Sequence, residues 1–411
     1  MKTQQVPTGS KFTVLRQLCN YIPPHLVPQV ARDTGVDEQA RTFSPWSHVV
    51  ALSYGQLTHS IGLNDICDSL GLNSGPLSAL RGATPPSRNN LSHANRVRDA
   101  AMAERLFWAE LKYLGDLSPE FVSGKANKRF VRGLKRKIHV VDSTTIQLIA
   151  SCMDWAKHRR RKAAAKCHLR LDLQSFLPQF AIIGTARDAD AKRAREVCAG
   201  IREGEIAIFD KAYVDFGHLG ELEQRGVIWV TRAKENLQYT VLTEYPVPAE
   251  GKIVSDELIG LTNPTSQAKY PEVLRRITAW VEVEGKERLM EFLTNQLSWS
   301  PGTVAELYRC RWQIEVFFKQ IKQTLQLADF LGTNANAVQW QIWTALLVYL
   351  LLRYLAFLKN WSHSFSRLFA LVRTGLWRKW DLLSLLERYG AAGGSFRYLA
   401  HPEQAYFPGF A

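Results

Sequence analysis

A chain of 411 residues with 46% hydrophobic residues is long enough for roughly two to four domains with sizeable cores. Its 52 Lys and Arg against 38 Asp and Glu leave a net charge of +14, the balance of a protein that meets a polyanion, of which nucleic acid is the commonest. The six cysteines form no C-x-x-C pair and repeat no spacing, which argues against zinc fingers and a disulfide framework, and the opening Met-Lys-Thr-Gln-Gln-Val-Pro lacks the apolar run of a signal peptide.

Residues 1 to about 120 read as helical. The apolar spacing in Trp46 to Leu57, Ile61 to Leu70 and Leu91 to Leu114 follows a 3.6-residue period, and Gly71, Gly75, Gly82 and Pro85-Pro86 punctuate it. Ser87 suits the N-cap of a helix that opens Arg88-Asn89-Asn90-Leu91-Ser92-His93-Ala94-Asn95-Arg96. Arg88, Asn89, Asn90, His93 and Arg96 are side-chain types that contact phosphates and base edges, so a helix-turn-helix reader of DNA ends fits this region. A helical bundle with a polar outer face fits it equally.

A basic stretch follows, with Lys125, Lys128, Arg129, Arg132, Lys135, Arg136 and Lys137, and it runs into the apolar tetrad Ile138 to Val141, which ends at Asp142. Cys167 to Leu173 and Gln179 to Thr185 read as a hairpin. Then come a helix over Asp190 to Ile201, a strand over Glu205 to Phe209 ending at Asp210, a helix over Gly217 to Gln224 and a strand over Val227 to Thr231. A meander that turns into alternating helices and strands predicts a mixed α/β sheet, in an order that suits a ribonuclease-H-like core.

Residues 235–288 break the alternation. Tyr239 to Tyr245 and Arg276 to Val283 read as strands of a β-rich insertion, Leu289 to Asn295 resumes the core, and Pro301 starts a long helix running to about Leu327. Val338 to Leu358 is long and apolar enough for a bilayer, but Gln339, Gln341 and Arg353 favour a buried helix. The predicted division is a helical DNA-binding region over 1–120, a catalytic core over 121–330 and a helical region over 331–411.

Asp142 and Asp210 each end a short apolar strand, where side chains of neighbouring strands converge and ligands commonly bind. Helix caps produce the same pattern, so neither acid is diagnostic alone. The segment YRCRWQIEVFFKQIK adds a third carboxylate: Tyr308, Arg311, Glu315 and Lys322 are spaced by three, four and seven residues and share one helical face. A solvated charged stripe would explain the Arg–Glu pair but not the flanking Trp312, Phe317 and Phe318. Three carboxylates suit two Mg²⁺ ions, hard cations that together activate an attacking oxygen and stabilise a leaving one at phosphorus, and Mn²⁺ can substitute. Arg311 and Lys322 would hold phosphates.

These residues resemble the IS-four group of bacterial insertion-sequence transposases, whose mark is Tyr, two residues, Arg, three residues, Glu, six residues, Lys. Tyr308, Arg311, Glu315 and Lys322 fit without a gap. Val141 to Ile146 and Asp210 to Phe216 resemble the first two catalytic blocks, the second followed by Trp229 to Arg232, although Ala212 stands where the group often has Gly. The run Trp155 to Lys162 is similar too. The resemblance covers about 130 to 350 and implies a DDE transposase. Its core would be ribonuclease-H-like, with a β insertion and with Asp142, Asp210 and Glu315 as catalytic metal ligands. DNA phosphates would meet Tyr308, Arg311, Lys322, Lys319, Arg232, Arg159, Arg160 and Arg161. The resemblance also suggests that the grip bends the DNA end, with Trp229, Trp280 and Trp299 as candidates to stack a flipped base.

The predicted partners are double-stranded DNA, as terminal inverted repeats and target, and a second copy of the chain in the DNA complex. No membrane is involved, and the setting is the bacterial cytoplasm at the nucleoid. A nuclease or resolvase on the same fold and a catalytically inactive DNA-binding regulator are the rival readings.

Overall fold

Small polar caps set where several of the helices begin. In the computed structural model, which describes residues 7–38, 40, 42–124, 134–148, 157–159, 162–185, 189–247, 251–283, 286–325 and 331–390, Thr13 caps α1 (Val14–Cys19) by accepting from the Arg16 N–H at 3.2 Å. Helix α2 (Leu26–Asp33) follows, and Ser44 then caps α3 (Pro45–Thr58), with Pro45 preset for its first turn. After α4 (Leu63–Leu72) and α5 (Ser74–Ser78), Ser87 accepts from the Asn90 N–H at 3.2 Å and starts α6 (Arg88–Val97). Helices α7 (Ala101–Leu117) and α8 (Pro119–Ser123) complete this stretch.

The strands then run β1 (Ile138–Leu148), β2 (Lys157–Arg159), β3 (Lys162–Asp172), β4 (Leu177–Thr185), β5 (Ile206–Phe209) and β6 (Ile228–Arg232). Helix α9 (Asp190–Cys198) joins β4 to β5, and α10 (Phe216–Gln224) joins β5 to β6. Strands β7 (Tyr239–Glu244), β8 (Ile253–Leu261), β9 (Leu274–Val283) and β10 (Lys286–Thr294) follow, with α11 (Pro264–Lys269) between β8 and β9. The chain continues through α12 (Pro301–Arg309), α13 (Trp312–Lys319), a π turn over Gln320–Thr324, α14 (Ala335–Leu358), α15 (Phe365–Gly375) and α16 (Leu382–Gly390).

The chain forms two compact units. One holds the described residues of Ser123–Thr145 and of Lys166–Phe317. The sheet order is β3-β1-β5-β6-β10-β9-β8-β7, with β4 and β2 also paired to β3. Five strands in the order β4-β3-β1-β5-β6, with helices after β4 and β5, are the mixed arrangement of a ribonuclease-H-like core. Strand β5 reads Ile-Ala-Ile-Phe because it is buried on both faces. Beneath it, Ala194 and Val197 of α9, Leu219 and Leu222 of α10, Phe209, Tyr213 and Trp229 form one apolar cluster. The segment between β6 and α12 is no separate lobe: β10 pairs antiparallel with β6, so the sheet continues through β9, β8 and β7. Strand β8 and helix α11 go beyond the two strands read from the sequence of this segment.

The other unit holds the described residues of Met1–Val122, of Ile146–Ala165 and of Phe318–His401, so the helical regions near both ends of the sequence belong together. Gln17 ties them, its Nε2 donating to the Trp380 carbonyl at 2.7 Å and its Oε1 accepting from the Leu382 N–H at 2.9 Å. Helix α14 is the only one among the described residues long and apolar enough to cross a membrane, and most of it is buried. Its Trp343 ring lies 5.6 Å from Phe107 and 5.8 Å from Trp108, and its Trp340 indole donates to the Arg98 carbonyl at 2.8 Å. The all-round apolar sequence is that of a core helix.

Candidate active site

Strands β1 and β5 are parallel, with Ile138 opposite Ile206 and Val141 opposite Phe209. The next step of that register sets Asp142 beside Asp210. Strand β1 does not stop at Asp142, as its apolar tetrad suggests; it runs on to Leu148, and only its pairing with β5 ends there. Asp210 leaves β5 and caps a 3₁₀ turn over Lys211–Tyr213, accepting from the Ala212 N–H at 3.2 Å.

The third carboxylate arrives from α13. The long helix read from Pro301 to Leu327 is instead three pieces, because the backbone tightens between Tyr308 and Ile314. The N–H groups of Arg311, Gln313 and Ile314 each donate three residues back, to Tyr308, Cys310 and Arg311, at 2.9, 3.1 and 3.1 Å. Tyr308 thus lies in the last turn of α12, Arg311 in the joint, Glu315 in the first turn of α13 and Lys322 in the π turn.

Arg311 gathers the acids. Its Nη1 donates to Asp142 at 2.8 Å and its Nη2 pairs with Glu315 at 3.0 Å. Tyr308 is buried against Phe292, with ring centroids 5.0 Å apart, and its hydroxyl donates to Asp210 at 3.4 Å. Burial pushes the Asp142 carboxyl up to about 6; Arg311 works against this, and Asp210 and Glu315 add repulsion. Burial disfavours the Arg311 charge, but Tyr308, Asp142, Glu315 and Asp210 outweigh it and raise its pKa. The three carboxylates therefore share one electrostatic site with a single guanidinium between two of them. Arg232, at the end of β6, acts on Tyr308 through its charge.

Behind the two aspartates lies a network that sequence spacing did not indicate. The Ser143 hydroxyl donates to Asp190 Oδ1 at 2.6 Å, and Lys166 Nζ donates to Asp190 Oδ2 at 2.8 Å. His168 Nδ1 stands 3.4 Å from Asp190 and hydrogen-bonds the Tyr213 hydroxyl at 3.0 Å. Burial disfavours the Asp190 charge, yet Lys166 and Ser143 hold its carboxyl below the usual range.

The remaining candidates are dispersed. Arg88, Asn89, Asn90, His93 and Arg96 are all exposed on α6, while Leu91, Ala94 and Asn95 of the same helix are buried. Lys319 is exposed and Lys322 half-buried, both in the helical unit. Arg159 lies in β2, whereas Arg160 and Arg161, with Lys125, Lys128, Arg129 and Arg132, lie outside the described residues. Lys137 pairs with buried Asp172 at 3.0 Å, and Arg136 donates to the Gly204 carbonyl at 2.8 Å. Trp229 is wholly buried and closed to a flipped base, while Trp280 is 43% exposed on β9 and Trp299 is half-buried.

Fold and site define a ribonuclease-H-like protein with a carboxylate centre beside its central strands. Residues 133–351, a little over half of the chain, match the family described as the transposase DDE domain, and residues 10–80 match a domain of unknown function, DUF4372. The chain is 30% identical over 304 residues to a putative transposase, y4zB, of Sinorhizobium fredii, covering 73% of this chain and 80% of that protein. It is 26% identical over 238 residues to a probable transposase for insertion sequence element IS5377 of Geobacillus stearothermophilus, covering 57% of this chain and 61% of that one. With transposase InsG for insertion sequence element IS4 of Escherichia coli it shares 27% over 194 residues, 45% of this chain and 42% of that one. The chain belongs to the DDE transposase family, with insertion-sequence transposases of the IS4 type among its relatives.

Enzymes of this family cleave DNA and transfer its strands with the help of divalent metal ions. The donor set here fits such ions: three carboxylates, all hard oxygen donors, converge where one cationic side chain already stands. Among the described residues, no three acidic, His or Cys side chains stand at the spacing of a metal's ligand shell.

Proposed function

We propose that this chain is the transposase of a bacterial insertion sequence and that Asp142, Asp210 and Glu315 hold two Mg²⁺ ions, with Mn²⁺ as a substitute. The observation that carries this reading is the β1–β5 register, which sets Asp142 beside Asp210, together with the Arg311 bridge from Asp142 to Glu315. Bound there, the ions would supply Lewis-acid polarisation of phosphate oxygens and a more acidic attacking water. The protein's own side chains do the rest. Tyr308 orients Asp210 through its hydroxyl. Arg311 neutralises two carboxylates in this state and exchanges them for a phosphate fork on the DNA, with Tyr308, Arg232, Lys319 and Lys322 holding the strand that is not cut first. The exposed face of α6 reads the terminal inverted repeats, and the basic runs at 125–137 and 158–162 hold phosphates away from the cut. Two copies of the chain act on paired ends, in the bacterial cytoplasm at the nucleoid.

The test is strand cleavage and joining on labelled duplexes taken from the DNA that flanks the gene. Specific cutting at the boundary of a flanking inverted repeat is the expected result. Cutting with no regard to that boundary, or preferential cutting of branched junctions, would replace this reading with a nuclease or resolvase on the same fold.

A further inference from the structure

We propose that Asp190 is a positioning residue of the active site: its carboxylate ties Ser143, next to Asp142, to Lys166 and, through the His168–Tyr213 pair, to the turn that carries Asp210, and so fixes the separation of the two aspartates.

Both of its oxygens are committed. Oδ1 accepts from Ser143 at 2.6 Å and stands 3.4 Å from His168; Oδ2 accepts from Lys166 at 2.8 Å. Lys166 and His168 are alternate residues of β3 and so project from the same face of the strand. His168 is fully buried and passes the connection to the Tyr213 hydroxyl at 3.0 Å. Tyr213 closes the path, its own N–H donating to the Asp210 carbonyl at 3.0 Å. A run of polar contacts therefore leads from the residue after Asp142 to the backbone of Asp210, through two strands, a helix start and a 3₁₀ turn, with the Asp190–His168 step a 3.4 Å contact and the other steps hydrogen bonds. The β1–β5 register holds the same two residues at their backbones; the Asp190 network holds them from behind.

Two simpler roles fail. Asp190 is the first residue of α9, but the cap position belongs to Ala189, and the Asp190 side chain turns away from the helix to Ser143 and Lys166. A role as a fourth metal ligand is disfavoured by charge. Asp142 and Glu315 share the Arg311 guanidinium, whereas the two oxygens of Asp190 are held by Ser143 and Lys166, with the Lys166–Asp190 pair only 14% and 17% exposed. Residues that orient ligating carboxylates typically change metal affinity by about 10- to 100-fold when removed.

The proposal rests on Asp142 and Asp210 being metal ligands, so the test separates the two claims. Mn²⁺ binding to the full-length protein is titrated by electron paramagnetic resonance of the free ion, for Asp190→Asn, Tyr213→Phe, Asp142→Asn and Leu222→Ala. Asp190→Asn and Tyr213→Phe are expected to weaken Mn²⁺ binding by about 10- to 100-fold, with duplex DNA binding kept. Asp142→Asn should abolish it, and Leu222→Ala, a core truncation in α10, should lower thermal stability while leaving Mn²⁺ affinity within about twofold. Tyr213→Phe keeps the ring in its apolar site and carries the test if Asp190→Asn fails to fold. Wild-type Mn²⁺ affinity in Tyr213→Phe and Asp190→Asn, beside its loss in Asp142→Asn, would overturn the positioning role. So would complete loss in Asp190→Asn, which would make it a ligand, or equal weakening in Leu222→Ala, which would reduce the effect to general softening. Unchanged binding in Asp142→Asn would instead remove the metal site on which the proposal stands.

Discussion

Arg311 is the residue on which the site turns. It lies 11% exposed between Asp142 and Glu315, and each of its terminal nitrogens serves one of them. If, as proposed, the carboxylates carry the chemistry, Asp142→Asn, Asp210→Asn and Glu315→Gln should each lower strand cleavage by about a thousandfold or more, some 4 kcal/mol of transition-state stabilisation. Gel-shift affinity for the element end should stay near wild type. Near-normal cleavage by any one of them removes that residue from the set. Arg311→Ala and Lys322→Ala test the grip on the uncut strand. Stepwise analysis of labelled ends should show the first nick within about threefold of wild type and release of the second strand slowed by tenfold or more, the cost of about one charge-assisted contact. Loss of the first nick in both would assign these residues to assembly of the carboxylate centre. The Tyr-Arg-Glu-Lys spacing was readable in the sequence because it lies within 15 residues, Tyr308 to Lys322. Asp190 was not, because Ser143, Lys166 and Tyr213 meet it only in space.

At the scale of elements, α6 turns one polar stripe outward while Leu91 and Ala94 face inward. If that stripe lies on DNA, Arg88→Ala and Arg96→Ala together should weaken binding and flatten the dependence of log K on log salt by about two phosphate contacts' worth. Asn89→Ala and Asn90→Ala should narrow the preference for terminal-repeat over random duplex. An unchanged salt slope and preference would leave α6 as a packing element. Strand and helix order through the core was legible because Ile206–Phe209 is a buried apolar run, Ile228–Val230 a largely buried one, and the helix between them starts at an Asp215 cap. Strand β8 was not, since its burial is irregular and a register shift between Ile253 and Ser255 breaks the two-residue period. The break in the long helix was equally hidden: Cys310 and Arg311 are unremarkable helix formers, and only the three-residue hydrogen bonds around them mark the joint.

At the scale of the whole molecule, the helical unit contains an internal acid. Glu110 of α7 is fully buried, and among the described residues neither of its oxygens meets a hydrogen-bond donor. Burial raises its pKa from 4.5 to about 8, with Arg81 opposing the shift. Because the folded form holds the proton more tightly than the unfolded chain, the unfolded state sheds it first as pH rises. Stability is therefore lost between about 4.5 and 8 and levels off above. The Glu110→Gln protein lacks this slope. Its unfolding temperature should match wild type near pH 5 and exceed it progressively toward pH 8, where the difference approaches an upper bound of about 4–5 kcal/mol. Parallel pH profiles for the two proteins would show that Glu110 does not titrate in this way.

If Glu315 completes the carboxylate set as proposed, the pairing of β10 with β6 bears on when cutting ability arises during synthesis. Asp142 and Asp210 follow directly from strands that pair with each other, β1 and β5, whereas Glu315 lies beyond β10, which joins the core sheet through β6 only after the strands from Tyr239 to Thr294. That pairing joins residues far apart in the chain, the slowest kind of contact to form. On the proposed roles, a nascent or prematurely ended chain would carry the α6 surface and two of the acids without the third, and would occupy a site without cutting it.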